Sequence, residues 1–117
     1  MELRNDEKTY SLVLKFIELR EKLGDNLIKV KFDENKFVVY VKEKVVIEGV
    51  EVKSLKDVLK ESLLNLRGVK EVEIEDSHVK IYVSQIYPEL FELVSVTIYE
   101  IEKEFGEKIE WEIVEIT

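Results

Sequence analysis

The chain has 117 residues, 45% hydrophobic and 38% charged, with 26 acidic against 18 basic side chains and a formal net charge of -8. An ordinary apolar fraction excludes a disordered chain, and an apolar run no longer than Phe37–Val41 excludes a membrane-spanning helix, which needs roughly 20 such residues. The absence of cysteine removes disulfides, thiolate nucleophiles and cysteine-ligated zinc. Glutamate (21) and lysine (15) dominate, with one glutamine and one methionine, a surface composition of the kind found in hyperthermophile proteins. Met1 is followed by Glu2, Arg4, Asn5 and Asp6 rather than by a basic stretch and an apolar core, so the expected compartment is the cytoplasm.

In chain order, Asn5 or Asp6 is placed to cap a helix running to Leu23, with Leu12, Phe16, Leu19 and Leu23 as its core stripe. Ile28, Val30 and Phe32 alternate with Lys29 and Lys31, the pattern of a half-buried strand. Lys36–Lys42 is apolar throughout its interior and predicts a central strand. Val45–Val52 reads as a third strand, with Gly49 marking a bulge or a strand end. Ser54 and Asp57 form a variant capping box for a helix to Leu66, whose inward stripe is Leu55, Leu59, Leu63 and Leu66. Val72 and Ile74 alternate with Glu71, Glu73 and Glu75, and Val79, Ile81 and Val83 with Lys80, Tyr82 and Ser84. Pro88 suits the first turn of a third helix to Phe105, with a seam of Tyr87, Phe91, Val94, Ile98, Ile101 and Phe105. Gly24, Gly68 and Gly106 each follow a helix, as a left-handed C-terminal cap requires. Ile109, Trp111 and Ile113 make a last strand, with a bulge expected at Ile113-Val114.

Residues 26–41 align without gaps on residues 68–83, at an offset of 42. Val30, Tyr40 and Val41 are identical to Val72, Tyr82 and Val83, and Asp33-Glu34 meets Glu75-Asp76. The chain therefore reads as one α+β domain over 1–117, a pseudo-repeat of helix-hairpin units near 8–41 and 54–83 followed by a helix-strand segment at 87–116. Its element order is α-β-β-β-α-β-β-α-β. The expected architecture is a two-layer sandwich of an antiparallel or mixed sheet and three helices. Over residues 10–83 the order α-β-β-α-β-β, with Gly-Val-x-x-Val at Gly68–Val72, resembles small modules such as the BON domain. The strand at 45–52 and the segment 84–117 depart from that pattern, and the resemblance brings no function with it.

Chemistry-bearing patterns are sparse. His78 is the one histidine; beside Glu75 and Asp76 it offers only part of the three or four ligands a metal site needs, and a polar hairpin turn accounts for it. Ser77 is its chain neighbour, but adjacent strand residues point to opposite faces, so no serine nucleophile is activated. No glycine-rich phosphate loop can be written. Glu71, Glu73 and Glu75 share one strand face and Glu110 and Glu112 another, which reads as a solvated face balanced by Lys29, Lys31 and Lys80. No catalytic residue, cofactor or metal ligand is assigned.

What remains is surplus apolar helix surface. Tyr10, Leu14 and Ile17 form a second stripe on the first helix, Leu64 lies off the core face of the second, and Val96 and Tyr99 lie opposite the seam of the third. These six residues are the expected interface. The sequence thus points to a non-catalytic interaction or assembly module of a thermophilic cell, with a second copy or another protein as partner and no membrane. The alternative is a small-molecule or metal-ion binding protein, or a small enzyme, using the clustered carboxylates. A nucleic-acid platform of Lys29, Lys31, Tyr40, Lys80 and Tyr82 is disfavoured by the acidic balance, with only Arg4, Arg20 and Arg67 as arginines.

Overall fold

The computed structural model describes the backbone of residues 2–33 and 36–116, and the side chains of residues 10–32 and 36–116. Three α-helices and two mixed three-stranded sheets follow the order α-β-β-β-α-β-β-α-β, an α+β fold. The strands are divided between two sheets instead of sharing one. Helix α1 (Glu2–Leu23) leads through a short 3-10 turn into β1 (Leu27–Asp33), β2 (Lys36–Val41) and β3 (Glu51–Ser54), the first sheet. Helix α2 (Leu55–Leu64), β4 (Val69–Glu75), β5 (His78–Val83), α3 (Leu90–Phe105) and β6 (Glu110–Glu115) build the second. No helix among the described residues is long and apolar enough to cross a membrane.

The two sheets repeat one plan. Each pairs a hairpin antiparallel and adds a third strand parallel to the middle one. The register breaks between Leu27 and Lys29 in the first hairpin and between Val69 and Glu71 in the second, the same step at the same offset. The closing bond from Lys42 N–H to the Asn26 carbonyl recurs from Ser84 N–H to the Gly68 carbonyl. A parallel return needs a crossover, and here the two halves part. Between β5 and β6 the crossover contains α3, whereas residues 42–50 join β2 to β3 without a helix.

That difference sets the packing. On the second sheet, Val79, Ile81 and Val83 are covered by Leu55, Leu59 and Leu63 of α2 and by Leu90, Val94, Ile98 and Ile101 of α3, in one continuous core. On the first sheet, Val38 and Tyr40 join that core, with the Phe105 ring set edge-on to Tyr40 at 5.1 Å. Its other face, Val39 and Val41, is closed by Leu19 and Leu23 of α1 and by Val45, Ile47 and Val50. Only the last turns of α1 therefore dock. At roughly 1.5 Å per residue a helix of this length reaches about 33 Å, and the molecule measures 63 × 24 × 21 Å.

Several expectations shift in detail. Helix α1 begins at Glu2, ahead of the expected caps Asn5 and Asp6, whose side chains lie outside the described ones. The turn residues Glu34 and Asn35 also lie outside the described residues. Ser54 does cap α2, its hydroxyl accepting from Asp57 N–H at 3.3 Å, while α2 ends at Leu64 and Leu66 packs from the following turn. Helix α3 starts at Leu90 after a turn at Pro88 and Glu89, so Leu90 takes the buried seam position expected of Phe91. Gly106 closes α3 at φ +70°, a conformation that disfavours residues with a Cβ. The strand expected at 45–52 is confined to Glu51–Ser54, and Gly49 sits in a turn. Strand β6 pairs with β5 in unbroken register from Glu110 to Glu115, without the expected bulge.

Candidate functional site

The six expected interface residues all face solvent: Tyr10, Leu14, Ile17, Leu64, Val96 and Tyr99 are between 44% and 67% exposed. The first stripe of α1 is exposed as well. Of the residues expected to form its core side, Leu19 is buried, Leu12 and Leu23 are half-buried and Phe16 is exposed. Val13 is exposed too, so Tyr10, Val13, Leu14, Phe16 and Ile17 present one broad apolar face, an arc of roughly 160° at about 100° per residue. The cause lies in the fold. Beyond Leu19 the helix runs past the edge of a sheet only six or seven residues long, and no α3 equivalent stands beside it. On α3, Leu93, Val96 and Tyr99 form the outward stripe.

A second surface lies on the open face of the second sheet. Parallel pairing sets His78 beside Glu110 and Lys80 beside Glu112, while antiparallel pairing sets Glu73 beside Lys80 and Glu75 beside His78. Both expected carboxylate rows thus fall on one face. His78 Nε2 lies 2.9 Å from a Glu112 oxygen and Nδ1 3.9 Å from a Glu110 oxygen. The Tyr82 hydroxyl donates to the Glu73 carboxylate, which raises the Tyr82 pKa. Sequence reasoning placed His78 with Glu75 and Asp76; the approach of Glu112 depends on the parallel register of β6, which no local pattern encodes. Among the described residues, no three His, Asp or Glu side chains gather closely enough to hold a metal ion.

The aromatic-basic platform is divided between the sheets. Tyr40 is only 4% exposed, with the Lys29 ammonium 4.8 Å and the Lys53 ammonium 5.7 Å from its ring centroid. Both lysines bind Glu104 at the end of α3, Lys29 through the backbone carbonyl and Lys53 through the carboxylate at 3.0 Å. That hydrogen bond, with the charge of Glu104, raises the Lys53 pKa. Tyr40 therefore offers no ring for a base to stack on, and Tyr82 stands among Glu71, Glu73 and Glu112.

A small apolar groove of about 390 Å³ lies beside β6, lined by Ile86, Phe91, Trp111, Glu112 and Ile113. Phe91 is 66% exposed and leans on Trp111 with ring centroids 5.1 Å apart. The sequence placed Phe91 in the buried seam and so missed the groove; its two adjacent aromatic residues became neighbours only through the crossover that brings β6 under the first turn of α3. No known protein-family model matches the chain, and no curated protein matches it in sequence.

Proposed function

We propose that this chain is a non-catalytic assembly module of a thermophilic cell, acting in the cytoplasm and associating with a second copy of itself through apolar helix faces. One observation carries the reading: a helix of 22 residues is anchored by its last turns while Tyr10, Val13, Leu14, Phe16 and Ile17 stand in solvent. Exposed aromatic and aliphatic groups gathered on one element mark a contact surface, and burying one Leu or Ile side chain stabilises by about 1.5–3 kcal/mol. Oligomerisation is also a common route to thermal stability. The test is mass by light scattering over a wide concentration range, for the native chain and for Leu14→Asp/Ile17→Asp. The native chain is expected to be multimeric at micromolar concentration and the double variant to dissociate at least ~100-fold more readily, the equivalent of about 2.7 kcal/mol. Equal masses for the two chains would refute the helix-face reading.

A further inference from the structure

Strand β6 is an outer strand of the second sheet. Glu110 N–H bonds the Ser77 carbonyl and Ile116 N–H the Val83 carbonyl, so the even-numbered residues of β6 turn their backbone groups to β5. With a two-residue period, Trp111, Ile113 and Glu115 turn theirs to the open edge. Such an edge is a template for another strand unless charge or proline blocks it. The three glutamates of β6 do not block it, because each is drawn back towards its own subunit. Glu112 lies 2.9 Å and Glu110 3.9 Å from the ring nitrogens of His78, and the Glu115 carboxylate accepts Ile86 N–H at 3.1 Å. The edge is therefore apolar on both sides, with Trp111 and Ile113 beside Ile86 and Phe91 on the helix side, and Val114 and the 42%-exposed Ile116 on the other.

From this we propose that β6 pairs antiparallel with β6 of a second copy about a two-fold axis at Ile113, joining two three-stranded sheets into one across two molecules. The backbone fixes the register. In an antiparallel ladder the residues that exchange both hydrogen bonds stand opposite each other, so the outward-turned Trp111, Ile113 and Glu115 must meet outward-turned residues of the partner. One such register matches the strand from end to end: Ile113 meets the partner's Ile113, and Trp111 meets the partner's Glu115. Glu112 then meets the partner's Val114 and Glu110 the partner's Ile116, so no glutamate faces a glutamate. Sliding the strands by one step sets Glu112 on the partner's Glu112, which like charges oppose. Sliding them the other way carries Trp111 past the partner's Glu115, where β6 ends. Strand β4 is a poorer occupant, because Glu71, Glu73 and Glu75 lie on the same sheet face as Glu110 and Glu112 and would meet them. In the two-fold pair the apolar grooves of the two copies lie side by side across Ile113. The contact has the same partner as the helix-face reading but a different surface, and it goes beyond that reading. With both contacts in place the native chain forms assemblies larger than a dimer.

An isologous contact sets one residue against itself, and the experiment uses that property. Sedimentation velocity is run on the Leu14→Asp/Ile17→Asp chain, which removes the helix face and is expected to leave dimers. In that chain Ile113→Lys and Ile113→Glu are each expected to weaken dimerisation at least tenfold, since like charges then meet on the axis. Their one-to-one mixture is expected to recover it, and circular dichroism checks that each variant keeps its fold. Single variants that dimerise as their parent does, or a mixture as weak as the single variants, would overturn the edge contact. A gentler pair of changes reads the register should the charges disturb the fold. The chain has no cysteine, so one introduced cysteine reports only contact between copies. Cα atoms of a hydrogen-bonded pair lie about 5.5 Å apart, within disulfide reach, whereas the diagonal from Val114 to the partner's Val114 is about 7–8 Å, beyond it. Ile113→Cys is therefore expected to oxidise to a linked dimer and Val114→Cys to stay largely reduced; any other pattern would overturn the register. A Leu14→Asp/Ile17→Asp chain that is monomeric at millimolar concentration, beside a multimeric native chain, would overturn the edge contact and leave the helix-face reading standing. Dimers of equal mass for both chains would do the opposite, and monomers for both would overturn the two together.

Discussion

The two halves of the molecule share a hairpin, a register break and a parallel third strand, yet one half completes a core and the other does not. In the half containing α2 and α3, the crossover helix covers what α2 leaves open, and Val79, Ile81 and Val83 are fully buried. In the half containing α1, residues 42–50 replace that helix, and the sheet is closed by a loop, by the end of α1 and by the tip of α3 at Phe105. A repeated strand plan therefore does not fix burial. The element placed in the crossover does: α3 buries a full seam while keeping an outward stripe, whereas α1, with no crossover helix beside it, buries only Leu19 of its described side chains and leaves residues 10–17 largely undocked.

The sharpest way to break this comparison is to remove the residue that joins the halves. Phe105 is 1% exposed and meets Tyr40 of the other sheet. Phe105→Ala is expected to cost about 3–5 kcal/mol, the range for deleting a buried phenyl ring, and to lower the urea midpoint of the whole chain. Leu19→Ala empties a smaller cluster of three buried residues and is expected at the lower end of the leucine range, about 2 kcal/mol. Hydrogen exchange separates the two changes. The Leu19 variant loses protection in α1 and along β2 while α2 and α3 stay protected, and the Phe105 variant loses protection throughout. Equal and global losses from both would show that the halves are one cooperative unit.

Much of this architecture was legible in the sequence because local chemistry dictated it. The left-handed Gly106 cap, the Ser54 cap and the leucine stripe of α2 need only neighbours a few residues away, and the offset of 42 reproduces register for register in the two hairpins. What failed to read depended on distance. A core stripe on α1 was expected through Leu12 and Phe16, but helical periodicity reports amphipathicity without saying how far a sheet extends beneath the helix. Leu90 displaced Phe91 from the seam because α3 starts two residues after Pro88, and either leucine or phenylalanine satisfies the same period. The division into two sheets, and the meeting of His78 with Glu112, follow from which strand edge β6 joined, information carried by the crossover and by no single segment.

A smaller effect tests how the halves are stitched at the start of α2. The Ser54 hydroxyl accepts from Asp57 N–H at 3.3 Å and donates to the Lys42 carbonyl at 3.4 Å, so it caps α2 and holds the end of β2 together. Ser54→Ala is expected to cost about 1 kcal/mol, the usual value of an N-cap, measured by urea denaturation. Ser54→Asp keeps an acceptor for the cap, loses the donor to Lys42, and is expected to recover part of that loss. If both variants match the native midpoint, the cap does not contribute.

The smallest effect is alkaline. Lys53 is raised above its ordinary value of 10.5 by the hydrogen bond and charge of Glu104; a base whose folded pKa is raised binds its proton more tightly when folded. Its stabilisation is fully present below 10.5 and is lost as pH climbs through the raised value. Tyr82, raised above 10.0 by its bond to the Glu73 carboxylate, follows the same sign, because the neutral phenol is the form the fold favours. Stability is therefore expected to fall as the pH rises above the ordinary values of 10.0 and 10.5. Because the Lys53 ammonium and Glu104 are each more than a third exposed, their pair contributes only about 0.5 kcal/mol after solvent screening. Lys53→Met is expected to cost about 0.5 kcal/mol at neutral pH and to flatten the alkaline slope, since the contribution it removes is the one lost there. Tyr82→Phe isolates the share of the second sheet. The lysine tie spans the two halves while the tyrosine bond lies within one, so only the Lys53 substitution should also loosen the contact between Tyr40 and Phe105. Heteronuclear NMR of the Tyr40 ring across that pH range reads the difference directly: unchanged ring shifts in Lys53→Met would mean that the aromatic edge contact, not the ion pair, holds the first sheet against α3.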